Sequence, residues 1–210
     1  AGIETLSDLR GKRVGTQLES SAEFFLDSML RTAGLTAQDV TRVPFMAKTR
    51  SPISMLPEAL VSGRIDAVAL WEPQVQRAKV AIGADAIEFQ DPAIYTEKFN
   101  LCTTQANLEQ PGTRERIVAF VRALITAAQR LKVDPEAGWR LVATAAELDL
   151  DTVIGAWPYL HYPGTLATDL LDVFMRQELW IASIQKRASR SRSEIATLID
   201  DSVLREARAG

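Results

Sequence analysis

Short apolar runs alternate with amphipathic stretches over the first half of the chain. The runs at residues 13–16, 39–45 and 65–70 contain β-branched residues in short apolar blocks, which predicts strands. The intervening stretches carry apolar residues at every third or fourth position, which predicts helices. Strands that alternate with helices are typical of a parallel sheet with right-handed crossovers. We therefore predict an α/β fold for this half.

Polar and special residues mark the ends of these predicted helices. Ser20 or Ser21 is a suitable N-cap for the first helix, and Gly34 is suited to its C′ position. The next two helices each begin near a proline and end at a glycine: Pro57 to Gly63, and Pro73 to Gly83.

The second half of the chain has mainly helical periodicity. It follows two further predicted strands, at residues 87–89 and 99–104. The predicted helices span residues 114–131, 135–146, 151–156 and 166–185, and a basic linker at 186–193 leads to one last amphipathic helix. We therefore divide the chain into an α/β domain at residues 1–98 and a mostly helical domain at residues 99–210. The strand at 99–104 has no predicted partner.

The composition fits a globular protein and excludes several functions. The 210 residues are 47% hydrophobic and 24% charged, with 24 Lys+Arg against 27 Asp+Glu and a net charge of -3. This balance lacks the basic surface of a nucleic-acid-binding protein, so we expect no nucleic-acid partner. No apolar run reaches the length of about 18 residues that spans a bilayer.

The sequence contains one cysteine and one histidine. Cys102 cannot form an intrachain disulfide, and His161 cannot form a zinc site alone. The two could only act together as a nucleophile and base, but no elbow motif surrounds the cysteine, and we interpret Cys102 as a packing residue. We predict no catalytic residue, no metal and no cofactor.

The turn after the first strand is the strongest candidate binding site. Thr16 and Gln17 lie at the strand end, where open α/β sheets bind ligands. Ser20 and Ser21 begin a helix, whose free N–H groups and dipole attract anions. The alternative is that a serine only caps the helix. Glu19 would repel an anion and would suit an amine-bearing ligand instead.

A second turn follows another predicted strand and lies at the same sheet edge. Trp71 can stack on a flat or apolar part of a ligand, and Glu72 can accept hydrogen bonds. The alternative is that Trp71 seals the core of the domain. Asp66, which precedes the strand, is interpreted as a structural hydrogen-bonding residue.

Several segments resemble a known family. The resemblance is carried by residues 6–15, by the AGL…DV turn, and by the AL…G…DA segment that Trp-Glu-Pro follows. The family is the solute-binding proteins of ABC importers for nitrate, aliphatic sulfonates, taurine and thiamine-pyrimidine precursors. The similar segments lie, in order, at residues 6–15, 33–40, 59–68, 71–73, 117–124 and 199–207.

The resemblance implies a periplasmic-binding-protein-like fold of type II. Residues 1–98 would be the complete second lobe, and residues 99–210 the C-terminal part of the first lobe. The family has about ninety further residues before this point, and we expect them to be absent from this chain. The loop at residues 47–52 is longer than is usual in the family.

The resemblance also implies a function. The protein would capture a small solute, anionic or pyrimidine-like, between two lobes and pass it to a membrane permease, as a monomer that works in the periplasm or anchored outside the cytoplasmic membrane. We expect its targeting segment to lie outside this chain. Two alternatives remain: an enzyme of the same fold, like thiamine-pyrimidine synthases or a desulfinase, or a ligand-sensing module of a signalling protein.

Overall fold

The structure, a computed structural model, describes residues 2–45 and 53–209. The loop at residues 47–52 therefore lies outside the described residues. The strands are β1 (Arg13–Thr16), β2 (Thr41–Pro44) and β3 (Ala67–Ala69). The helices are α1 (Ser21–Thr32), α2 (Leu56–Val61), α3 (Gln74–Ile82), α4 (Gln105–Glu109), α5 (Pro111–Val133), α6 (Pro135–Ala146), α7 (Leu150–Ala156), α8 (Leu170–Ile184), α9 (Arg192–Ala196) and α10 (Ser202–Ala209).

The three strands form one parallel sheet in the order β2-β1-β3. Gly15 of the central strand pairs with Val43 on one side and with Val68 on the other. The predicted parallel α/β sheet is therefore confirmed. Helices α1, α2 and α3 begin and end close to the predicted residues, because each has a clear stop signal such as Gly34 with a φ of 68°.

Two apolar cores form around the sheet. One cluster contains Val14 of β1, Leu26 and Leu30 of α1, and Ala69 of β3. The other cluster contains Phe45, Leu56, Ala59 and Ile65. Successive side chains of a strand point to opposite faces, so Val14 and Gly15 belong to different cores. The central strand β1 is thus buried on both sides, as parallel strands usually are.

Gly15 permits the second core to pack directly on the central strand. A Cβ atom at this position would lie 2.6 Å from Leu56 Cδ2 and 2.7 Å from Ile65 Cδ1. Both side chains are almost completely buried and cannot move outward. A residue with a side chain would therefore push α2 away from the sheet.

The chain divides into two compact units. Unit 1 comprises residues 1–97 and 149–160, and unit 2 comprises residues 98–148 and 161–210. The segment 149–160, which sequence analysis grouped with the helical domain, belongs to unit 1. It packs on α3, where Gln76 lies against Gly155 and Lys79 lies 5.4 Å from the centre of the Tyr159 ring. The assignment of these units to two lobes of a binding protein stays a prediction.

Two predicted strands are wrong. Residues 87–89 and 99–104 have extended or irregular backbone and pair with nothing in the described ranges. A strand is stabilised by its ladder of hydrogen bonds, so an apolar run without a partner does not form one. Phe99 and Leu101 are 76% and 62% exposed as a result. The predicted last helix is also divided, into α9 and α10.

Unit 2 is held by polar contacts as well as by helix packing. Glu178 is buried in α8 and accepts hydrogen bonds from the Arg187 guanidinium and from the Arg190 backbone N–H. These hydrogen bonds lower the pKa of Glu178 to about 2, and the bonds from Arg187 have the largest effect. The basic segment predicted as a linker is thus bound to α8 through Glu178. In the residues that the structure describes, no helix is long and apolar enough to cross a membrane.

Candidate functional site at the carboxyl edge of the sheet

The sheet topology brings both predicted binding turns to one edge. Thr16, the last residue of β1, pairs with Ala69, the last residue of β3. The turn at residues 17–20 and the turn at residues 70–73 therefore leave neighbouring strand ends. The carboxyl edge of a parallel sheet is where ligands of open α/β sheets bind. The roles of the individual side chains there stay predictions.

The β1–α1 turn is tightly organised. Ser20 is the N-cap of α1, and its Oγ accepts a hydrogen bond from the Ala22 N–H at 3.2 Å. The same Oγ donates to the Gln17 carbonyl at 2.7 Å. Glu19 is exposed and takes a left-handed conformation with a φ of 52°. The capping interpretation of Ser20 is therefore confirmed, and Ser21 is the first helical residue.

A buried carboxylate stabilises this turn from inside. Glu23 Oε2 accepts a hydrogen bond from the Glu19 N–H at 2.6 Å, and its Oε1 lies 2.7 Å from Arg42 Nη1. Arg42, on the neighbouring strand β2, also donates to Asp27 one turn further along α1. The side chain of Glu23 is 4% exposed. Pairing with Arg42 offsets the cost of burying this charge.

Thr16 does not line the surface of this edge. It is completely buried, and its Oγ1 has no hydrogen-bond partner within the described residues. In strand alternation it shares the α1 face with Val14. Of the predicted binding residues on β1 and its turn, Gln17, Ser20 and Ser21 are half-buried and Glu19 is exposed.

The β3–α3 turn also contains a carboxylate that binds backbone. Glu72 Oε2 accepts a hydrogen bond from the Gln76 N–H at 3.0 Å, close to the start of α3. Burial raises the pKa of Glu72 above its ordinary value, while the Gln76 N–H lowers it. Trp71 is half-buried and packs partly against the core cluster of Phe45 and Leu56. Trp71 therefore contributes to the core and also keeps an accessible part.

Asp66 has the structural role that the sequence predicted. Its carboxylate accepts hydrogen bonds from the Arg13 backbone N–H at 2.8 Å and from Nε and Nη2 of the same residue. These bonds lower the pKa of Asp66 to about 2. The pair fixes the amino end of β3 to β1, at the edge opposite the candidate site.

Three residues around α1 have contacts that the sequence did not predict. Glu23 lies three positions after Ser20, and this S-x-x-E spacing is a helix-start signal that the sequence contained. Arg42 has no such signal, because only the pairing of β1 with β2 brings it to α1. Tyr95 packs edge-on against Phe24 of α1 at 5.2 Å between ring centres, from a segment without periodicity.

Cys102 and His161 are not built into a site. Both are exposed, so the interpretation of Cys102 as a packing residue is wrong. The predicted strand at 99–104 does not form, and residues 99–104 are all exposed. Among the described residues, no group of His, Cys, Asp and Glu side chains could hold a metal ion.

The start of α1 leaves two backbone amides unpaired within the described residues. In the described part of the chain, the N–H groups of Ser21 and Glu23 have no partner, whereas those of Glu19 and Ala22 are already bonded. A ligand there would meet these two amides and the Ser21 hydroxyl, because the Ser20 hydroxyl already donates to the Gln17 carbonyl. The accessible part of Trp71 lies in the turn that follows the adjacent strand β3.

These features define an α/β protein with the fold of periplasmic solute-binding proteins. The alkanesulfonate-binding protein SsuA of Xanthomonas axonopodis pv. citri, bound to MOPS, is similar in structure with a TM-score of 0.67 and 20% identity over 99% of this chain and 65% of that chain. The periplasmic aliphatic sulphonate-binding protein SsuA of Escherichia coli has a TM-score of 0.65 and 18% identity over 95% of this chain and 62% of its own.

The fold also occurs in a protein that binds a sulfinate. A cysteine-to-serine mutant of DszB, in complex with biphenyl-2-sulfinic acid, has a TM-score of 0.65 and 15% identity over 100% of this chain and 73% of that chain. At these identities the similarities show the fold alone.

The family follows from the sequence itself. Residues 1–138 match the model of the family described as NMT1/THI5 like, so this chain belongs to that family. A Haemophilus influenzae protein named for thiamine biosynthesis is 26% identical over 160 residues, which is 75% of this chain and 48% of that protein. The chain thus spans about half the length of this curated relative. The expected family resemblance is confirmed.

Proposed function

We propose that this chain is the solute-binding part of an ABC importer component. A small polar solute would bind at the carboxyl edge of the sheet, next to the N-cap Ser20. Its accepting group would lie at the Ser21 hydroxyl and at the amides of Ser21 and Glu23, which are unpaired within the described residues, and a flat or apolar part would lie against Trp71. The observation that carries the proposal is the pairing of Thr16 with Ala69, because it puts both turns at one edge.

The cellular setting belongs to the same proposal. Binding proteins of this fold release their solute to a membrane permease, so the partner would be a permease, and the protein would work as a monomer outside the cytoplasmic membrane. The E. coli neighbour is named as periplasmic, which supports this location. We propose binding without chemistry, and no metal or cofactor is needed for it.

Calorimetry with a defined panel tests the binding site. The panel contains MOPS, a short alkanesulfonate, sulfate, nitrate and a hydroxymethyl aminopyrimidine. We expect at least one to bind, Trp71→Ala to weaken that binding through lost contact area, and Ser21→Leu to weaken it by blocking the amides. Val133→Ala is the control, because Val133 is 86% exposed in unit 2 and far from this edge in sequence.

Two results would overturn the proposal. Equal binding by wild type, Trp71→Ala and Ser21→Leu would put the solute elsewhere. A chain that binds none of the panel would also contradict the proposal. Release of sulfite from biphenyl-2-sulfinate would instead favour the enzyme alternative, which the similarity to DszB supports.

A further inference from the structure

The β1–α1 turn depends on a carboxylate that a ligand cannot reach. Glu23 is 3% exposed, yet it bonds the N–H of Glu19 at the surface of the turn and the guanidinium of Arg42 in the interior. Glu19 has a positive φ, a conformation that costs a non-glycine residue energy unless its surroundings hold it. The hydrogen bond from the Glu19 N–H to Glu23 stabilises this conformation.

The charges beneath the turn reduce its attraction for anions. Glu23 and Asp27 place two carboxylates in the first two turns of α1, and Arg42 supplies one guanidinium between them. A carboxylate in the first turn offsets the partial positive charge of a helix N-terminus. In addition, the Glu19 N–H is used by Glu23 and cannot bind a ligand.

We propose that Glu23, held by Arg42, is a positioning and specificity-determining residue of the β1–α1 turn, which it fixes in shape and makes less favourable for anionic ligand groups. The group that best suits the turn is then a neutral acceptor, such as a carbonyl or a ring nitrogen, rather than an ionised sulfonate. This inference rests on the proposed function, because it concerns the same turn.

Amide hydrogen exchange tests the positioning role without any ligand. In wild type, the Glu19 amide proton should exchange slowly, because it is bonded to a buried carboxylate. Glu23→Ala should accelerate its exchange about tenfold or more, and Arg42→Met should accelerate it less. Glu23→Gln keeps an accepting oxygen and should restore most of the protection. Glu58→Gln is the control, because Glu58 is exposed at the same third position of α2.

An unchanged Glu19 amide in a folded Glu23→Ala protein would overturn the positioning role. Circular dichroism and the other amide signals report whether the variant is folded. If Glu23→Ala does not fold, the exchange rate of the Glu19 amide is compared in Arg42→Met, Glu23→Gln and wild type. A rate in Arg42→Met that equals the rates in Glu23→Gln and wild type would then overturn the positioning role.

Sulfate binding tests the specificity role. Glu23→Gln removes one negative charge from the helix start and should bind sulfate about two- to fivefold more tightly than wild type, while Glu58→Gln should not. Weaker, equal or undetectable sulfate binding by Glu23→Gln would contradict the specificity role. The panel separates this failure from failure of the proposed function. The proposed function fails if wild type binds none of the probes, the neutral aminopyrimidine included, or if wild type, Trp71→Ala and Ser21→Leu bind equally.

Discussion

Unit 1 and unit 2 bury their apolar residues in different ways. Unit 1 packs helices on both faces of a small sheet, and its core side chains are buried, with Leu30 and Phe45 only 0% and 1% exposed. Unit 2 contains no strand in its described residues, and Phe120 and Leu141 are 55% and 70% exposed. A sheet offers a helix a continuous apolar face, whereas helices alone cover one another only along narrow stripes.

This difference predicts where substitutions matter. In unit 1, the central strand β1 carries core positions at Val14 and Gly15 and ends at Thr16, directly before the β1–α1 turn of the candidate site. In unit 2, stability depends more on specific polar ties, such as Glu178 with Arg187 and Arg114 with Glu206. Matched substitutions in the two units can break or sharpen this comparison.

The largest contrast is expected for two leucines. Leu30→Ala removes a side chain that is 0% exposed in the α1 core and should lower the free energy of unfolding by about 2–5 kcal/mol. Leu141→Ala removes a side chain that is 70% exposed and should change the free energy of unfolding by no more than about 0.5 kcal/mol. Urea unfolding followed by circular dichroism measures both. Equal losses would show that exposure does not separate the units.

Substitution of two glycines by alanine should change the free energy of unfolding in opposite directions. Gly15→Ala places a Cβ 2.6 Å from Leu56 Cδ2 and should destabilise by about 1–3 kcal/mol. Gly112→Ala, in α5, meets only the Arg116 guanidinium at 3.7 Å and should stabilise by up to about 1 kcal/mol, because alanine favours helix. Thermal unfolding of both variants checks the signs, and a stable Gly15→Ala protein would contradict the close packing of α2.

A smaller effect is expected from acid. The pKa of Asp66 is lowered from 3.8 to about 2, so its bonds to Arg13 stabilise unit 1 fully above about pH 4. That stabilisation should be lost as the pH falls towards 2. Asp66→Asn should lower the free energy of unfolding by about 1 kcal/mol at pH 7, and the free energy of unfolding of this variant should fall less steeply as the pH is lowered.

Urea unfolding between pH 2 and pH 7 measures this dependence. Asp85→Asn is the control, since Asp85 is an exposed aspartate of the same unit. If the free energy of unfolding falls equally with pH in Asp66→Asn and wild type, other carboxylates cause the loss of stability in acid.

The smallest effect is expected at Cys102. Its thiol is exposed in unit 2, so Cys102→Ser should change the free energy of unfolding by less than about 0.5 kcal/mol. The native thiol should also react with a disulfide reagent without denaturant. A thiol that reacts only in urea would mean that the segment is covered in solution, and would support the original packing interpretation.

Local sequence signals sufficed where an element is stabilised by its own residues. Ser20, Gly34 and Gly63 mark helix ends because a cap or a positive φ is a property of a few neighbouring residues. The order of strands and helices was enough to predict a parallel sheet. It also predicted that the turns at Ser20 and Trp71 share one edge, because parallel strands all end on the same side.

Tertiary structure alone decided the contacts between distant residues. The S-x-x-E spacing marks Glu23, but only β1–β2 pairing places Arg42 beside it and turns a helix-start signal into a buried ion pair. The run at 99–104 has the composition of a strand, yet it forms none, because a strand needs a hydrogen-bonding partner and sequence periodicity cannot show whether one is present. Local propensity is a property of neighbours in the chain, whereas pairing and burial depend on what the fold brings together.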